Sequence, residues 1–138
     1  MAQPNQLPQA WRDIVGDVVE SFVEAVNAFD TDRLIDLFAQ DAYVNDQLRD
    51  FWGIGAIGKW IRREIVGTRF RMDVLSAKRH FRDLILSAKV SGDFDKTGLP
   101  DPMILSFLFS VCDGRIVRLI VLMTRPQETE PDIRRPDA

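Results

Sequence analysis

The sequence predicts a single α+β domain, because helical periodicity in its first half gives way to strand alternation in its second half. The chain has 138 residues, which is an ordinary length for one domain. Apolar residues recur every three or four positions from Trp11 to Phe29, whereas they alternate with polar residues after Gly67. Helices followed by an antiparallel meander of strands are typical of the α+β class.

Three helices are predicted before this change of period. The first is long and amphipathic and covers Trp11 to Phe29, with acidic residues on its polar side. A second, short helix is predicted from Asp32 to Gln40, after a capping residue at Asp30. Ala42 to Asp46 is strand-like, and a loop then leads into a third helix over 54–66.

Four strands are predicted in the second half of the chain. The first two show simple alternation and begin near Phe70 and Leu84. The last two, MILSFLFSVC and RIVRLIVLM, are separated only by Asp113-Gly114. This dipeptide is suited to a two-residue hairpin turn with positive φ. The apolar setting of Cys112 predicts a buried thiol.

The last two strands are apolar on both faces, which predicts a second layer of packing. In MILSFLFSVC, one face carries Met103, Leu105, Phe107 and Phe109, and the other carries Ile104, Leu108 and Cys112. An antiparallel sheet in a monomer usually exposes one face to water. We therefore expect one face to pack against the helices and the other to pair with a second copy, which gives a homodimer through the sheet.

Composition limits the classes of partner and the location. The net charge of −3 provides no basic field for a nucleic acid, and no apolar run approaches the ~18 residues of a membrane span. The first residues lack the features of a secretory signal, so we expect a cytoplasmic protein with neither nucleic-acid nor membrane partners. We expect a flexible N-terminus over 1–9, one domain over 10–125 and a disordered, charged tail over 126–138.

Three stretches of the chain carry a resemblance to a known superfamily. They are FVEAVNAFDTDRLIDLFAQDAYVND, the GIGAIGKWI segment and the hairpin CDGRI, and with the order of elements they extend from Trp11 to Met123. On these features the chain resembles the nuclear-transport-factor-2-like superfamily, which includes ketosteroid isomerases and SnoaL-like polyketide cyclases. The resemblance implies a cystatin-like roll, in which three helices pack on the concave face of a cone-shaped, curved, mostly antiparallel sheet. It implies no cofactor.

The resemblance indicates Asp46 as a catalytic residue. Aligned with ketosteroid isomerases, YVND covers the segment that ends in their general base, and strand parity puts Asp46 on the same face as Ala42 and Val44. The isomerases' oxyanion-hole tyrosine corresponds to Phe22, and their protonated aspartic acid corresponds to Ser106. Because those two donors stabilise the enolate, their replacement argues against a steroid isomerase. SnoaL-like cyclases, in which an acidic cavity residue transfers the proton, remain compatible.

The expected cavity is apolar apart from one carboxyl group and one hydroxyl group. The residues expected to line it are Phe22, Val44, Asp46, Trp60, Phe70, Met72, Leu86, Ala88, Ser106, Leu108, Leu119, Val121 and Met123. A carboxylate in such surroundings is disfavoured as an anion, which suits it to acid–base chemistry beside a carbonyl group. Ser106 would then donate one hydrogen bond to the enolate. The competing interpretation is that Asp46 is a strand-end carboxylate that pairs with Arg49 or faces solvent.

Three functions are open from the sequence. The first is a SnoaL-like isomerase or cyclase that uses Asp46 for general acid–base proton transfer on a small hydrophobic carbonyl compound. The second is a non-catalytic dimeric protein that binds a hydrophobic ligand in the same cavity, and the third is a protein-interaction module. An open cavity near Asp46 favours the first two functions, whereas side chains that fill the cone favour the third.

Other conspicuous residues are given structural roles. His80, in the basic stretch AKRHFRD, is expected in an exposed turn. DFDKTG at 93–98 has the spacing of a calcium loop, but the twelfth position holds Ile104 instead of glutamate, so no metal site is expected. The longer segment DFDKTGLPDP is expected to be a proline-stiffened connection between strands. The basic cluster between Arg62 and Arg82 is expected to face solvent.

Overall fold

The structure, a computed structural model, describes Leu7 and residues 9–124. The predictions of a flexible stretch over 1–9 and a disordered tail over 126–138 lie outside these residues, except at Leu7 and Gln9. Within the described part of the chain, no helix is both long and apolar enough to cross a membrane.

The helices differ from the prediction in two places. They are α1 (Gln9–Val15), α2 (Asp17–Asn27), α3 (Thr31–Asp36) and α4 (Gly53–Trp60), and α4 continues as a π-helical segment over Ile61–Val66. The predicted first helix is broken at Gly16, whose φ of +82° lies in the left-handed region that glycine tolerates. The second is capped by Asp30, whose side chain accepts from the Arg33 backbone N–H at 3.2 Å, but it ends at Asp36. It ends early because Phe38 already pairs with Ile116 in the sheet.

One six-stranded sheet contains all the strands of the described residues. They are β1 (Phe38–Asp46), β2 (Arg49–Trp52), β3 (Arg71–His80), β4 (Asp83–Ser91), β5 (Met103–Cys112) and β6 (Arg115–Thr124). Their order across the sheet is β2-β1-β6-β5-β4-β3, and the β1–β6 pair is parallel while the other neighbours are antiparallel. The predicted Asp113-Gly114 turn is present, with φ of +52° and +75°. The α+β class with a curved, mostly antiparallel sheet and helices on its concave face is confirmed.

Strand β2 lies in a segment that was expected to be a loop. Gln47 and Leu48 form a tight turn with φ of +54° and +70°, so that Asp46 pairs with Arg49 across it. Positive φ is uncommon for such residues and usually signalled by glycine or asparagine. The turn is supported by Asn45, whose side-chain oxygen accepts from the Leu48 backbone N–H at 3.1 Å.

The core lies between the helices and the concave face of the sheet. On β5, Leu105, Phe107 and Phe109 are 4%, 2% and 0% exposed, and they alternate with half-buried residues on the opposite, convex face. Each large apolar side chain that is fully buried in this way stabilises the fold by roughly 1.5–3 kcal/mol. Cys112, expected to be buried, is exposed because it lies at the outer end of β5 beside the hairpin turn.

The open edge of the sheet at β3 is held by a buried asparagine. Asn27, at the end of α2, donates from its side-chain amide to the Met72 carbonyl at 2.9 Å and accepts from the Met72 N–H at 2.8 Å. Its side chain therefore takes the place of a neighbouring strand at this one position. This contact fixes α2 on the strand that begins next to the candidate site.

Candidate active site

A pocket of about 290 Å³ opens where the β1–β2 turn, the π-helical segment and the concave faces of β5 and β6 meet. We refer to it as the inner pocket. Its lining residues are Asp46, Gln47, Arg49, Trp60, Glu64, Ile65, Thr68, Phe70, Phe94, Leu99, Met103, Leu105, Phe107, Val121 and Met123. The polar members lie mainly on the turn and the π-helical segment, whereas the strands β5 and β6 supply apolar walls.

Asp46 is the last residue of β1, and its carboxylate is held by three donors. Its side chain is 15% exposed. Oδ2 accepts from Trp60 Nε1 at 3.0 Å and from Arg49 Nη2 at 3.1 Å, and Oδ1 accepts from Gln47 Nε2 at 3.3 Å. The expectation of a lone carboxylate in an apolar cavity is therefore wrong. The ion pair with Arg49 that competed with the catalytic interpretation is present, and the carboxylate borders the inner pocket as well.

Arg49 connects two carboxylates at the rim of the inner pocket. It pairs with both oxygens of Glu64, at 2.9 and 2.6 Å, in addition to Asp46. The hydrogen bond to Glu64 is the largest cause that raises the pKa of Arg49. A guanidinium matched to two carboxylates in this fork geometry stays charged and holds a fixed direction. It is the one cation among the residues that line the inner pocket.

The π-helical segment Ile61–Val66 delivers Glu64 to this rim. Thr68 closes the segment by donating its hydroxyl to the Glu64 carbonyl at 2.8 Å, and the Phe70 N–H reaches the Ile65 carbonyl at 2.9 Å. Short π-helical segments are rare in proteins, but where they do occur they often lie at functional sites. The predicted extent of the third helix, 54–66, agrees with α4 and this segment, but nothing in the sequence indicated the wider turn.

Gln47 fixes the turn that carries Asp46 and Arg49. Its backbone N–H donates to the Val121 carbonyl at 3.0 Å, its side-chain amide donates to the same carbonyl at 3.2 Å, and its side-chain oxygen accepts from the Met123 N–H at 3.1 Å. The turn is thus tied to the end of β6 by both its backbone and its side chain. The left-handed conformation of Gln47 places the amide where it can make these contacts.

The structure brings together five of the residues that the sequence analysis proposed for the cavity, namely Asp46, Trp60, Phe70, Val121 and Met123. Six others are buried in the core beyond the inner pocket, at 4% exposure or less, namely Phe22, Val44, Met72, Leu86, Ala88 and Leu119. Their side chains fill the deeper part of the cone. The cavity is consequently shorter than expected.

Ser106 and Leu108 do not reach the inner pocket. Alternation along β5 puts Leu105 and Phe107 on the concave side, so Ser106 and Leu108 lie on the convex side. Ser106 is cross-strand neighbour to Leu122, which is 44% exposed. The expected role of Ser106 as a hydrogen-bond donor to an enolate is therefore ruled out by its position.

Six polar or loop residues of the site were missed in the sequence analysis. They are Gln47, Arg49, Glu64, Thr68, Phe94 and Leu99. Arg49 was considered only as a partner that would argue against catalysis, and Phe94 and Leu99 lie in the segment interpreted as a connection. Glu64 follows Trp60 by four residues. This spacing puts both side chains on one face of a helix, and it could have indicated Glu64 as a site residue.

Other candidate sites contribute little. His80 is exposed, as expected, but it is the last residue of β3 and not part of the turn. Among the described residues, no cluster of three or more histidine, cysteine, aspartate or glutamate side chains is arranged to hold a metal ion. A larger groove of about 570 Å³ lies over α3 and the start of β1. It is open and lined by opposed charges, such as Asp36 and Arg62, and it contains none of the residues around Asp46.

Comparison with known proteins supports the family. No family model matches the chain, and no curated protein does either. Among solved structures, a protein from Sinorhizobium meliloti that carries the provisional name polyketide cyclase is 30% identical, with a TM-score of 0.71. That match covers 80% of this chain and 97% of the other.

Two further solved structures match at lower identity and support the fold alone. A nuclear-transport-factor-2-like protein from Cytophaga hutchinsonii is 16% identical, with a TM-score of 0.65, over 78% of this chain and 88% of that one. A protein with a ketosteroid isomerase-like fold from Catenulispora acidiphila, in complex with trimethylamine, is 17% identical, with a TM-score of 0.66, over 78% and 85%. The chain belongs to the nuclear-transport-factor-2-like, SnoaL-like superfamily.

Proposed function

We propose that this chain is a cofactor-independent isomerase or cyclase that moves a proton on a small hydrophobic carbonyl compound, with Asp46 as the general acid–base. The observation that carries the proposal is the position of the Asp46 carboxylate on the wall of a pocket of about 290 Å³. The side chains that the strands β5 and β6 contribute to this pocket are apolar. Pockets of this kind, with few convergent polar groups, are typical small-molecule sites.

The chemistry follows from the arrangement of the polar rim. Asp46 would take a proton from the carbon next to the carbonyl group, and the electron pair of that C–H bond would move to the carbonyl oxygen to give an enolate. Return of the proton from Asp46 to a different carbon would complete an isomerisation. Arg49 supplies the positive charge near the developing oxyanion, because it is the one cation among the residues that line the inner pocket.

The test is proton exchange, which requires no knowledge of the natural substrate. Cyclohexanone, 2-heptanone and 1-indanone are incubated with the protein in D₂O, and loss of the protons next to the carbonyl group is followed by NMR. The wild type is expected to accelerate exchange of at least one ketone. Asp46→Asn should lower the catalysed rate by about a hundredfold or more, in line with the usual contribution of a general base.

Asp41→Asn is the matched control, because Asp41 is an exposed carboxylate on the same strand outside the inner pocket. It should leave the exchange rate unchanged. Circular dichroism and thermal melting establish that both variants are folded. Exchange that proceeds equally well in Asp46→Asn would exclude Asp46 as the base.

A second candidate function is non-catalytic binding of the same class of ligand. It is favoured by the ion pair at 3.1 Å between Asp46 and Arg49, which occupies an oxygen that a base would use. Binding of the ketones, measured by calorimetry, without any acceleration of exchange would select this function. A protein-interaction module, the third possibility, is disfavoured by the open pocket.

We also propose a homodimer through the convex face of the sheet. Ile85, Leu108 and Ile120 form a cross-strand row on that face, and all three are half-buried in the single chain. A second copy would remove this apolar row from water. Leu108→Glu should convert the dimer to a folded monomer in light scattering, and a wild-type protein that is monomeric at micromolar concentration would refute the interface.

A further inference from the structure

We propose that the inner pocket continues past Phe94 into a second cleft, and that the two together bind an elongated ligand with a carbonyl head and a linear apolar chain. The inference rests on the proposed function of the inner pocket, since the head would lie beside Asp46. It assigns to the connection between β4 and β5 the role of selecting ligands by length.

The second cleft, here the outer cleft, has a volume of about 500 Å³ and lies next to the inner pocket. Its lining residues are Val90, Ser91, Phe94, Lys96, Leu99, Pro100, Asp101 and Met103. Three of them, Phe94, Leu99 and Met103, also line the inner pocket. All three side chains are apolar and half-buried, so the boundary that the two spaces share is apolar.

Phe94 is held at this boundary by the two residues that precede it. The Asp93 N–H donates to the Thr68 carbonyl at 2.6 Å, which ties the connection to the end of the π-helical segment. Gly92 lies so close to the ring that a Cβ atom there would be 2.9 Å from Phe94. The ring itself packs on Phe70, with 6.4 Å between centroids. These contacts therefore fix the position of the Phe94 ring.

The volume of the inner pocket limits how much of a ligand it can hold. At about 30 Å³ for each water-sized group, the 290 Å³ of the inner pocket accommodate about ten non-hydrogen atoms. A carbonyl compound longer than this has to leave the inner pocket, and the shared boundary at Phe94 offers it apolar side chains. The polar residues Ser91, Lys96 and Asp101 line the outer cleft and not the inner pocket. They can form hydrogen bonds with a polar group at the end of a ligand chain or with water.

The experiment measures how affinity depends on chain length. Calorimetric dissociation constants are determined for 2-heptanone, 2-nonanone, 2-undecanone and 2-tridecanone with the full chain. Each buried methylene is expected to improve affinity about fourfold. The improvement should continue in the wild type beyond 2-nonanone, which already has as many non-hydrogen atoms as the inner pocket holds.

Ser91→Phe introduces a bulky ring at a residue that lines the outer cleft and not the inner pocket. 2-Heptanone, which fits within the inner pocket, should still bind, and the gain in affinity beyond 2-nonanone should be lost. Thr97→Phe is the matched control, because Thr97 is exposed on the same connection and lines neither space. It should retain the full length dependence.

The outcomes separate this inference from the proposed function. If 2-heptanone binds but the wild-type affinity stops improving at 2-nonanone, or if Ser91→Phe keeps the wild-type length dependence, the outer cleft is not part of the site and only this inference fails. If none of the ketones binds, the inner pocket does not take such ligands, and the proposed function fails with it.

Discussion

The indole Nε1 of Trp60 donates a hydrogen bond to Oδ2 of Asp46 across 3.0 Å, between α4 and the end of β1. Trp60 is only 2% exposed, so its N–H has little access to water as an alternative partner. The contact therefore stabilises the packing of α4 against β1 and also orients the Asp46 carboxylate.

Trp60→Phe removes this donor and keeps an aromatic ring. Hydrogen bonds to charged groups contribute roughly 1.5–3 kcal/mol, so the free energy of unfolding should fall by about 2 kcal/mol in urea denaturation. Proton exchange on ketones should fall as well, because the indole N–H no longer holds the carboxylate in its orientation. Trp52→Phe is the control: Trp52 is 69% exposed, and its replacement should change stability by less than about 0.5 kcal/mol. Equal stability of Trp60→Phe and the wild type would contradict the prediction.

Arg49→Gln should lower proton exchange much more than it lowers the stability of the fold. The side chains of Arg49 and Glu64 are 51% and 34% exposed, so solvent weakens their interaction and the loss of stability should stay below about 1 kcal/mol. Proton exchange should fall at least tenfold, about 1.4 kcal/mol in the barrier, because no other cation lines the inner pocket in the described chain.

Arg33→Gln is the matched control for this change. Arg33 pairs with Glu24 at 2.8 Å and has a similar exposure of 42%, but it does not line the inner pocket. It should cost a similar amount of stability and leave exchange intact. If both arginine variants lower exchange to the same degree, the effect of Arg49 is structural and the charge has no role in the reaction.

Side-chain alternation predicts the position of Asp46, provided that it is applied in the correct register. Asp46 shares its strand face with the buried Ala42 and Val44, and the structure has it at the pocket wall. Ser106 was placed by its correspondence to ketosteroid isomerases, and an error of one residue along a strand moves a side chain to the opposite face. Leu105 and Phe107, its neighbours, line the inner pocket instead.

The parts that sequence could not predict depend on contacts between distant segments. The turn at Gln47 adopts positive φ without glycine, because its side chain and backbone bind the end of β6. Phe94 enters the pocket because the Asp93 N–H is hydrogen-bonded to the carbonyl of Thr68, which lies 25 positions earlier in the chain. Local periodicity carries no information on either contact.

Asn27→Ala tests the attachment of α2 to the edge strand β3. The change leaves the Met72 N–H and carbonyl without their partners, at a site where Asn27 is 8% exposed. An unsatisfied buried polar group costs about 1–3 kcal/mol, so the free energy of unfolding should fall by roughly 2–4 kcal/mol. Gln40→Ala, at an exposed position, should change it by less than about 0.5 kcal/mol. A loss below 1 kcal/mol for Asn27→Ala would show that water replaces the side chain.

The hydrogen bond from Tyr43 to Asp50 predicts a measurable pH effect on the β1–β2 hairpin. The Tyr43 hydroxyl donates to Asp50 Oδ1 at 2.5 Å and the Asn45 amide donates to the same oxygen at 2.8 Å. These two contacts, Tyr43 first, lower the pKa of Asp50, and the same bond raises the pKa of Tyr43. Because the pKa of Asp50 is lower in the folded state, its contribution to stability is present above the unfolded pKa and is lost as pH falls through the folded one.

Tyr43→Phe checks this effect directly. Removal of the hydroxyl should move the pKa of Asp50 up towards its ordinary value, as followed by carboxyl-carbon NMR between neutral and strongly acidic pH. Stacking of the ring on Trp52, with centroids 4.1 Å apart, is retained in the variant, so the hairpin should stay folded. An Asp50 titration that is the same in Tyr43→Phe and the wild type would mean that the hydroxyl does not donate to this carboxylate in solution.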